Sequence, residues 1–391
     1  MERGRLTIHG AERHMGRTVA YVRTSLVHQP AKLAISVASI AAALTLMMLI
    51  LGFRSGLYAS VTAYVSNAGA DLFVGQQGAT GVVASSSAVS ADLAGPLREI
   101  SGASQVETVV IADSIFQAGE RKTPVLLVGY EPGQRMGGPW QLVVGREPNA
   151  GTDEITLDRW LARRDGIVIS DQVEILGRRL EVVGLTAETN NWMSPVLFVP
   201  AAVLTEALGT PDQVSFFLLN LPPGANLDQI AADIERSQPT VHAMAPSMLA
   251  DHDRRVLAAV METPLLVMLV ISSVIGTAVL GLTSYTAALD RMREYGVLKA
   301  IGASPARMNT WLLQEGLLRA ALGYLAGVGV SLGSAALIQA VWPQFTIVIT
   351  GAAAALTGAV LVIMAGLGSI LPLRKVHRLD PALVFRGGGR P

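Results

Sequence analysis

The chain has 391 residues, of which 51% are hydrophobic and only 15% are charged, and its 30 basic and 30 acidic side chains leave no net charge. Several windows contain more than about 18 consecutive apolar residues, which is typical of membrane spans and excludes a purely soluble globular protein. There is no cysteine, which excludes disulfides and thiolate chemistry. We therefore expect a lipid bilayer around part of the chain and no nucleic-acid partner.

Charge is distributed unevenly along the chain. Residues 1–53 hold six Lys and Arg against two acids, residues 54–262 hold fourteen against twenty-four, and residues 263–391 hold ten against four. Cytoplasmic segments of membrane proteins carry an excess of Lys and Arg. The pattern predicts a multi-pass membrane protein with both termini in the cytoplasm and the middle of the chain outside. The excess of Arg over Lys, 26 to 4, hints at a bacterial source, and we therefore expect a bacterial cell (inner) membrane.

The N-terminal part predicts a surface helix followed by an anchor. Residues 1–32 are polar and basic, and 15–29 predict an amphipathic helix on the inner membrane surface that ends at Pro30, with a disordered basic leader as the alternative. Residues 33–53 predict the first span. A cleaved signal peptide is the competing interpretation, but the basic and apolar stretches are both too long for one.

Residues 54–262 predict one large extracytoplasmic α/β domain, either undivided or in two subdomains. A hairpin is predicted to turn at Gly177-Arg178, and a helix is predicted over 227–236. Residues 77–95, rich in Gly, Ser and Ala, predict a flexible loop. Strand-like stretches cover residues 107–116, 123–130, 153–157, 173–176, 180–185, 196–199, 214–221 and 241–244.

The remaining apolar runs complete the predicted membrane part. Residues 263–289 predict a second span opened by Pro264, 312–341 a third, and 346–372 a fourth, with an outer turn at 342–345 and a cytoplasmic tail over 373–391. The predicted fold is an α-helical membrane protein with four transmembrane helices and the α/β domain inserted between the first and second. Four glycines of the third span predict close helix packing: Gly323, Gly327, Gly329 and Gly333.

A charged loop over residues 290–311 joins the second and third spans. It begins with Arg291 and predicts a short surface helix that ends at Gly302. Taken alone, such a segment indicates no more than a positively charged cytoplasmic loop that sets the topology.

Two motifs resemble the FtsX/MacB-like permease family, the membrane subunits of type VII ABC transporters. One is Met292-Arg-Glu-Tyr-Gly-Val-Leu-Lys-Ala-Ile-Gly-Ala-Ser304, and the other is Leu379-Asp-Pro-Ala382 with a following Leu and Arg in the tail. In that family the first motif is the coupling helix that docks on an ATPase subunit. The resemblance assigns ATPase coupling to Arg293, Glu294, Tyr295, Gly296, Val297, Leu298, Lys299, Ala300, Gly302 and Ala303.

The resemblance implies a function and partners. A homodimer of permease chains would move with a cytoplasmic ABC ATPase and export an amphipathic or hydrophobic substrate by mechanotransmission, with an extracytoplasmic adaptor as a further possible partner. The alternative is an FtsX-type regulator that activates cell-wall hydrolases. Asp71-Leu-Phe-Val-Gly75, Val128-Gly-Tyr-Glu-Pro-Gly133 and Gly138-Pro-Trp140 resemble the DevC-like and haem-exporter-like branch of the family.

The chain itself shows no motif for catalysis. None of its four lysines follows a glycine, so a Walker A motif is absent, and we expect ATP and Mg²⁺ to bind the partner ATPase and no cofactor to bind this chain. No histidine in the predicted spans could activate a serine for an intramembrane enzyme. Asp251-His252-Asp253 could bind a metal, but a solvated polar stretch is the favoured interpretation. Met47, Met48, Met261 and Met268 could line a path for a haem-like ligand, but apolar filling is favoured.

Overall fold

The computed structural model describes residues 30–83, 86–190, 194–290, 305–342 and 344–377. They form two compact units. The sheet unit comprises residues 54–263 and 338–347, and the helical unit takes the described residues before 54, from 264 to 337 and from 348 onward. The predicted surface helix at 15–29, the charged segment 291–304 and the tail beyond 377 lie outside the described residues.

The elements follow one another as a long helix, a mixed α/β region and three more long helices. In chain order they are α1 (Pro30–Val61), α2 (Ala63–Asn67), β1 (Leu72–Gln76), β2 (Val89–Ser90), a 3-10 turn (Ala91–Leu93), α3 (Ala94–Ser101), β3 (Gln105–Ala118), β4 (Arg121–Tyr130), β5 (Leu142–Gly145), β6 (Glu154–Asp158), α4 (Arg159–Asp165), β7 (Gln172–Ile175), β8 (Arg178–Thr186), β9 (Val196–Pro200), α5 (Ala201–Leu208), β10 (Gln213–Val214), β11 (Phe216–Asn220), α6 (Leu227–Ser237), β12 (Val241–Met244), α7 (Pro246–Asp290), α8 (Pro305–Val341) and α9 (Gly351–His377).

Ten strands of the sheet unit join in one continuous sheet, and β2 and β10 form a separate two-stranded sheet. The order is β12-β1-β11-β3-β4-β9-β6-β8-β5, and β7 pairs with both β3 and β8. Strands β4 and β9 run parallel, as do β6 and β8, while the other neighbours are antiparallel. Because β7 pairs with both β3 and β8, six strands close into a ring in the order β3-β4-β9-β6-β8-β7.

Strand β9 and the second half of β4 are buried at every position because both faces of the sheet are covered there. Successive side chains of a strand point to opposite faces. In β9, Leu197 and Val199 lie in one hydrophobic cluster, while Val196 and Phe198 lie in another. The same alternation holds in β4, where Leu127 and Leu126 are divided between the two clusters. A continuous apolar run in the sequence therefore marks a strand covered on both sides.

Three predictions for this unit need correction. The hairpin turns at Leu176-Gly177, one residue earlier than predicted, because both residues have positive φ (53° and 75°), as a two-residue primed turn requires. The predicted strand 214–221 splits at Ser215, since β10 pairs with β2 and β11 with β1 and β3. The predicted loop 77–95 contains β2, the 3-10 turn and the first two residues of α3.

The helical unit carries apolar helices with exposed aliphatic side chains, as expected for contact with lipid. Three helices among the described residues are long and apolar enough to cross a membrane, Leu33–Val61, Pro246–Thr286 and Gly316–Val341. The apolar part of α9, Gly351–Leu367, is shorter. The predicted count of four spans is therefore not confirmed. Buried residues from all four helices form the core of the unit: Ile40, Leu44, Met47, Leu280, Ala320, Leu361 and Met364.

The long helices extend beyond the apolar runs that predicted them. Helix α1 continues from residue 53 to Val61, and α8 begins at Pro305 instead of residue 312. Hydropathy reports only which part of a helix is apolar, whereas backbone hydrogen bonds continue into polar sequence. Pro305 is well placed at a helix start, where its missing N–H has no intrahelical acceptor.

Helix α7 begins well before the predicted second span. Pro264 was predicted to open the helix, but it lies inside a helix of 45 residues that starts at Pro246. Residues before Pro264 are polar overall, yet Leu249, Ala250, Asp253 and Leu257 are buried at helical spacing. Packing of this face against the sheet unit stabilises helix where hydropathy gives no signal.

Helix α9 begins later than the predicted fourth span. Residues 346–350 are not helical, and the helix runs from Gly351 to His377, so neither 346 nor 372 is a boundary. The sequence Thr346-Ile-Val-Ile-Thr350 consists entirely of β-branched residues, which disfavour helix. Its backbone finds other partners, since Val348 N donates to Gly52 O at 2.9 Å.

Candidate functional site

The residues assigned to ATPase coupling, 293–303, lie outside the described part of the chain. What the structure describes is the pair of helices that carry them, since α7 ends at Asp290 and α8 begins at Pro305. The described part of the site is therefore the set of contacts that hold α7 and α8 in place.

Helix α7 is continuous across the boundary between the two units. Its residues up to 263 belong to the sheet unit and those from Pro264 belong to the helical unit. One helix thus links the extracytoplasmic sheet to the segment that resembles a coupling helix.

The first turns of α7 are fixed to the loop that follows β1. Asp253 is 1% exposed, and its carboxylate accepts hydrogen bonds from Val82 N at 3.1 Å and Val83 N at 3.3 Å. Beside it, His252 Nε2 and Thr80 Oγ1 lie 2.7 Å apart. The favoured interpretation of residues 251–253 as a solvated stretch is therefore wrong for Asp253, because this carboxylate caps a buried loop.

The metal interpretation of the same stretch gains no support. No group of three or more His, Asp or Glu side chains with metal-binding geometry occurs in the described residues. Asp251 pairs instead with Arg254, one turn along the helix, at 2.8 Å.

Helices α1 and α7 are also joined by an ion pair within the sheet unit. Arg54 Nη2 lies 2.6 Å from Glu262 Oε1, and the guanidinium of Arg54 stacks over the ring of Tyr58 at 5.2 Å. The two side chains are 42% and 54% exposed, so water screens the pair and it contributes little to stability. Its geometry nevertheless fixes the two helices side by side.

The predicted packing glycines of α8 differ in their surroundings. A Cβ on Gly323 would lie 2.5 Å from Ile40 Cγ2, and one on Gly327 would lie 3.2 Å from Leu44 Cβ. Both contacts are to α1. At Gly329 and Gly333 nothing among the described residues lies within 4 Å of such a Cβ. Close approach of α1 and α8 thus depends on two of the four glycines.

Sequence reasoning missed two further glycines of this unit. A Cβ on Gly276 in α7 would lie 2.4 Å from Met364 Cε and 3.1 Å from Ala43 Cβ, and Gly358 faces the ring of Tyr324. Tyr324 also donates a hydrogen bond to Ala354 O at 2.9 Å. Gly276 follows Ser272 and Gly358 follows Ala354 at a four-residue spacing, so the small-residue pattern could have indicated both.

The methionines predicted to fill apolar space occupy different environments. Met47 and Met48 are buried within the helical unit, and Met48 Sδ accepts a hydrogen bond from Ser331 Oγ at 3.3 Å. Met268 is half-exposed on α7. Because some of these methionines are buried and Met268 is half-exposed, they form no continuous path among the residues that the structure describes. Their positions agree with a role in packing.

Family models match the two parts of the chain separately. Residues 33–237 match the MacB-like periplasmic core domain, and residues 266–381 match the FtsX-like permease C-terminal region. The second match includes the charged segment 291–304 together with α8 and α9.

Similar proteins carry names of the same kind. The uncharacterized ABC transporter permease Rv2563 of Mycobacterium tuberculosis is 24% identical over 359 residues, which are 91% of this chain and 96% of that protein. The uncharacterized ABC transporter permease YknZ of Bacillus subtilis is 22% identical over 229 residues, 56% of this chain and 57% of that protein. The solved extracellular domain of YknZ is 15% identical with a TM-score of 0.35, covering 45% of this chain and 98% of that domain.

Proposed function

The chain belongs to the family of MacB-like and FtsX-like ABC transporter permeases, and we propose that it couples ATP hydrolysis by a separate ATPase to movement of its sheet unit. The observation that carries the proposal is the FtsX-like match over residues 266–381, which encloses the charged segment between α7 and α8. The relatives named as ABC transporter permeases support the same assignment.

In the proposed mechanism residues 293–303 bind the cytoplasmic ATPase. ATP binding draws two ATPase subunits together, and the segment moves with the subunit on which it docks. Helix α7 carries the displacement into the sheet unit because it is helical from Pro246 to Asp290, although Pro264 lacks the N–H for one backbone hydrogen bond. Asp253 then passes the movement to the loop at 80–83, to which it is bonded.

The proposed assembly is a homodimer in the cell membrane, with both termini in the cytoplasm. Two-fold pairing places one ATPase under each permease chain, as a closing ATPase pair requires. Gly329 and Gly333 present open helix surface, which suits contact with a second chain. The basic residues near the ends of the sequence support this orientation. An extracytoplasmic adaptor and a place in the DevC-like branch stay predictions.

The proposed activity is export of an amphipathic or hydrophobic molecule, moved by the sheet unit without catalysis in this chain. Neither the family models nor the names of the relatives favour the alternative of an activator of cell-wall hydrolases. Because the match to the MacB-like periplasmic core domain begins at residue 33 and ends at 237, the sheet unit is the part expected to act on the substrate.

The first test is purification of the tagged full-length chain from its native membrane. We expect an ATPase with Walker motifs to co-purify with the wild type and not with Glu294→Arg, because the reversed charge opposes the basic group expected on the ATPase. Glu120→Arg is the matched control, since Glu120 is an exposed acid in the turn between β3 and β4. Absence of any ATPase with the wild type would overturn the assignment.

The second test measures ATPase stimulation in reconstituted membranes. We expect Gly296→Pro to abolish stimulation while the chain still inserts and folds, since proline breaks a short helix. Unchanged stimulation in this variant would contradict coupling through the segment.

A further inference from the structure

Helix α4 carries a concentration of positive charge in an otherwise acidic part of the chain. Residues 54–262 hold fourteen Lys and Arg against twenty-four acids, yet three of the seven residues of α4 are arginine. The one acid of the helix, Asp165, pairs with Arg164 at 2.7 Å and with Arg121 of β4 at 3.2 Å. The charge of this acid is therefore matched by the helix itself and by a neighbouring strand.

The other two arginines of α4, Arg159 and Arg163, are exposed and lie one helical turn apart on the same face. Among the residues that the structure describes, no acid lies within 4.0 Å of either guanidinium, and this includes Glu188, which lines the same cleft as Arg159. The preceding acid, Asp158, is buried, and its carboxylate accepts hydrogen bonds from Thr189 Oγ1 at 2.8 Å and from two backbone N–H groups of α4. Like charges at this spacing repel each other, so an external anion would stabilise the pair.

The position of Arg159 is close to the ends of two apolar helices. It lines one cleft of the sheet unit together with Ala59 of α1 and Thr346 of the segment that follows α8. Both of these residues lie at or just beyond the end of a helix that is long and apolar enough to cross a membrane. Trp342, directly after α8, is 53% exposed, and tryptophan is enriched where membrane helices meet the lipid–water interface. Arg159 therefore lies near the level at which these helices leave the bilayer.

An anionic phospholipid headgroup fits this pair of arginines in charge and in place. A guanidinium donates parallel N–H bonds to the oxygens of a phosphate, which makes arginine well suited to phosphate recognition. At the surface of a bilayer such phosphates are concentrated in one plane. The acidic remainder of the sheet unit is repelled by an anionic surface, so α4 is the part of this unit that charge complementarity directs toward it.

We propose that Arg159 and Arg163 bind the phosphate of an anionic phospholipid headgroup in the leaflet next to the sheet unit, and that this contact holds α4 at the membrane surface. The two positive charges select a headgroup with a net negative charge over a zwitterionic one. This inference goes beyond the proposed function, because it requires only that the chain spans a membrane.

The test uses the full-length protein in phosphatidylcholine nanodiscs that contain a small fraction of phosphatidylglycerol with a photoreactive diazirine on its headgroup. Illumination labels the residues that contact this headgroup, and peptide mass spectrometry locates them. We expect labelling of α4 to fall at least about fivefold in the double variant Arg159→Gln and Arg163→Gln, because each arginine near an anionic surface changes the affinity by about fivefold.

The double variant Arg98→Gln and Arg179→Gln is the matched control. It removes the same number of charges from exposed arginines of the sheet unit that do not line the cleft, and its α4 should be labelled as in the wild type. The double variant Arg159→Lys and Arg163→Lys keeps both charges and should retain most of the labelling. Thermal unfolding of each variant establishes that the sheet unit is folded.

Labelling of α4 that persists in the glutamine variant, or equal labelling by a phosphatidylcholine analogue with the same diazirine, would overturn the proposal. Excess sn-glycerol 3-phosphate separates a bilayer headgroup from a soluble phosphate ester. We expect it to leave the labelling unchanged, and a loss of labelling would assign the arginines to a soluble ligand and overturn the headgroup assignment. No ATPase is present in this experiment, so its result is independent of the coupling proposed for residues 293–303.

Discussion

At the residue scale, two acids of one helical turn have opposite roles that their sequence does not reveal. Asp251 and Asp253 lie on either side of His252 in α7. Asp251 is exposed and pairs with Arg254, whereas Asp253 is buried and accepts two backbone N–H bonds. The helix period of 3.6 turns one side chain toward the sheet unit and the other toward solvent.

We predict that Asp253→Ala destabilises the loop at 80–83 by about 2–3 kcal/mol, because Val82 N and Val83 N lose a charged acceptor in a buried place. Hydrogen exchange of this loop, measured in the full-length protein, should accelerate. Asp251→Ala is the control and should change stability by less than about 0.5 kcal/mol, since it removes only an exposed ion pair. Equal exchange in both variants would contradict the buried cap.

Glu154 makes stability depend on pH. Hydrogen bonds from Arg146, with both N–O distances at 2.7 Å, hold the pKa of this buried carboxyl at about 2, below its ordinary value of 4.5. A group whose pKa is lowered by folding stabilises the protein above the unfolded pKa and loses that contribution as pH falls.

We therefore predict that Glu154→Gln lowers the Tm of the sheet unit by a few degrees at pH 7, and that the difference from wild type narrows below pH 4.5 and vanishes near pH 2. Thermal unfolding of the full-length protein, followed by tryptophan fluorescence, measures this. Glu120→Gln, in an exposed turn, should show no such narrowing. A difference in Tm that stays constant from pH 7 to pH 3 would rule out the ion pair as the cause.

At the element scale, the contact of α1 with α8 depends on where each glycine faces. Gly323 and Gly327 lie against α1, whereas Gly329 and Gly333 meet open space within the described chain. Their spacing in sequence is similar, so the small-residue pattern alone cannot tell which pair packs inside one chain.

We predict that Gly323→Ala destabilises the helical unit by about 1–3 kcal/mol, because its Cβ would lie 2.5 Å from Ile40 Cγ2. Gly333→Ala should be neutral or stabilise by up to about 1 kcal/mol through helix propensity. Denaturant unfolding in detergent micelles compares the two. Similar losses in both variants would contradict the packing of Gly323 on α1, while loss of dimer in Gly333→Ala would support its proposed contact with a second chain.

At the scale of the whole molecule, α7 is the element that belongs to both units. Pro264 marks the boundary between them and lies inside the helix. A transmitting helix must resist bending, and glycine costs about 1 kcal/mol per residue in a helix interior.

We predict that the pair Thr263→Gly and Leu266→Gly, which places a glycine on either side of Pro264, uncouples the units without preventing ATPase binding. Because the chain has no cysteine, Glu120→Cys provides a single site for a fluorophore on the sheet unit. ATP should change its fluorescence in the parent chain and in the control Pro264→Ala, which keeps the helix continuous. The change should be lost in the glycine pair. A retained response would show that movement reaches the sheet unit by another route.

The sequence by itself determined the membrane class of the chain, most of the sheet strands and the family, because apolar runs, alternating faces and a long charged motif are local signals. Strands β1, β2 and β5 were not predicted. Residues 241–244 were predicted as a strand with the bounds that the structure has. Helix ends were harder, as Pro264 illustrates, since hydropathy measures lipid contact and not backbone hydrogen bonding.

Only the tertiary structure decided which polar residues are buried and which groups they form hydrogen bonds with. Asp253 reaches Val82 across 171 positions of sequence, and Asp158 accepts a hydrogen bond from Thr189 Oγ1 across 31 positions. The same limit applies to Gly323 and Gly333, whose neighbours depend on how α1 packs against α8. Contacts between distant segments leave no local pattern, because each residue's environment is supplied by parts of the chain that fold onto it.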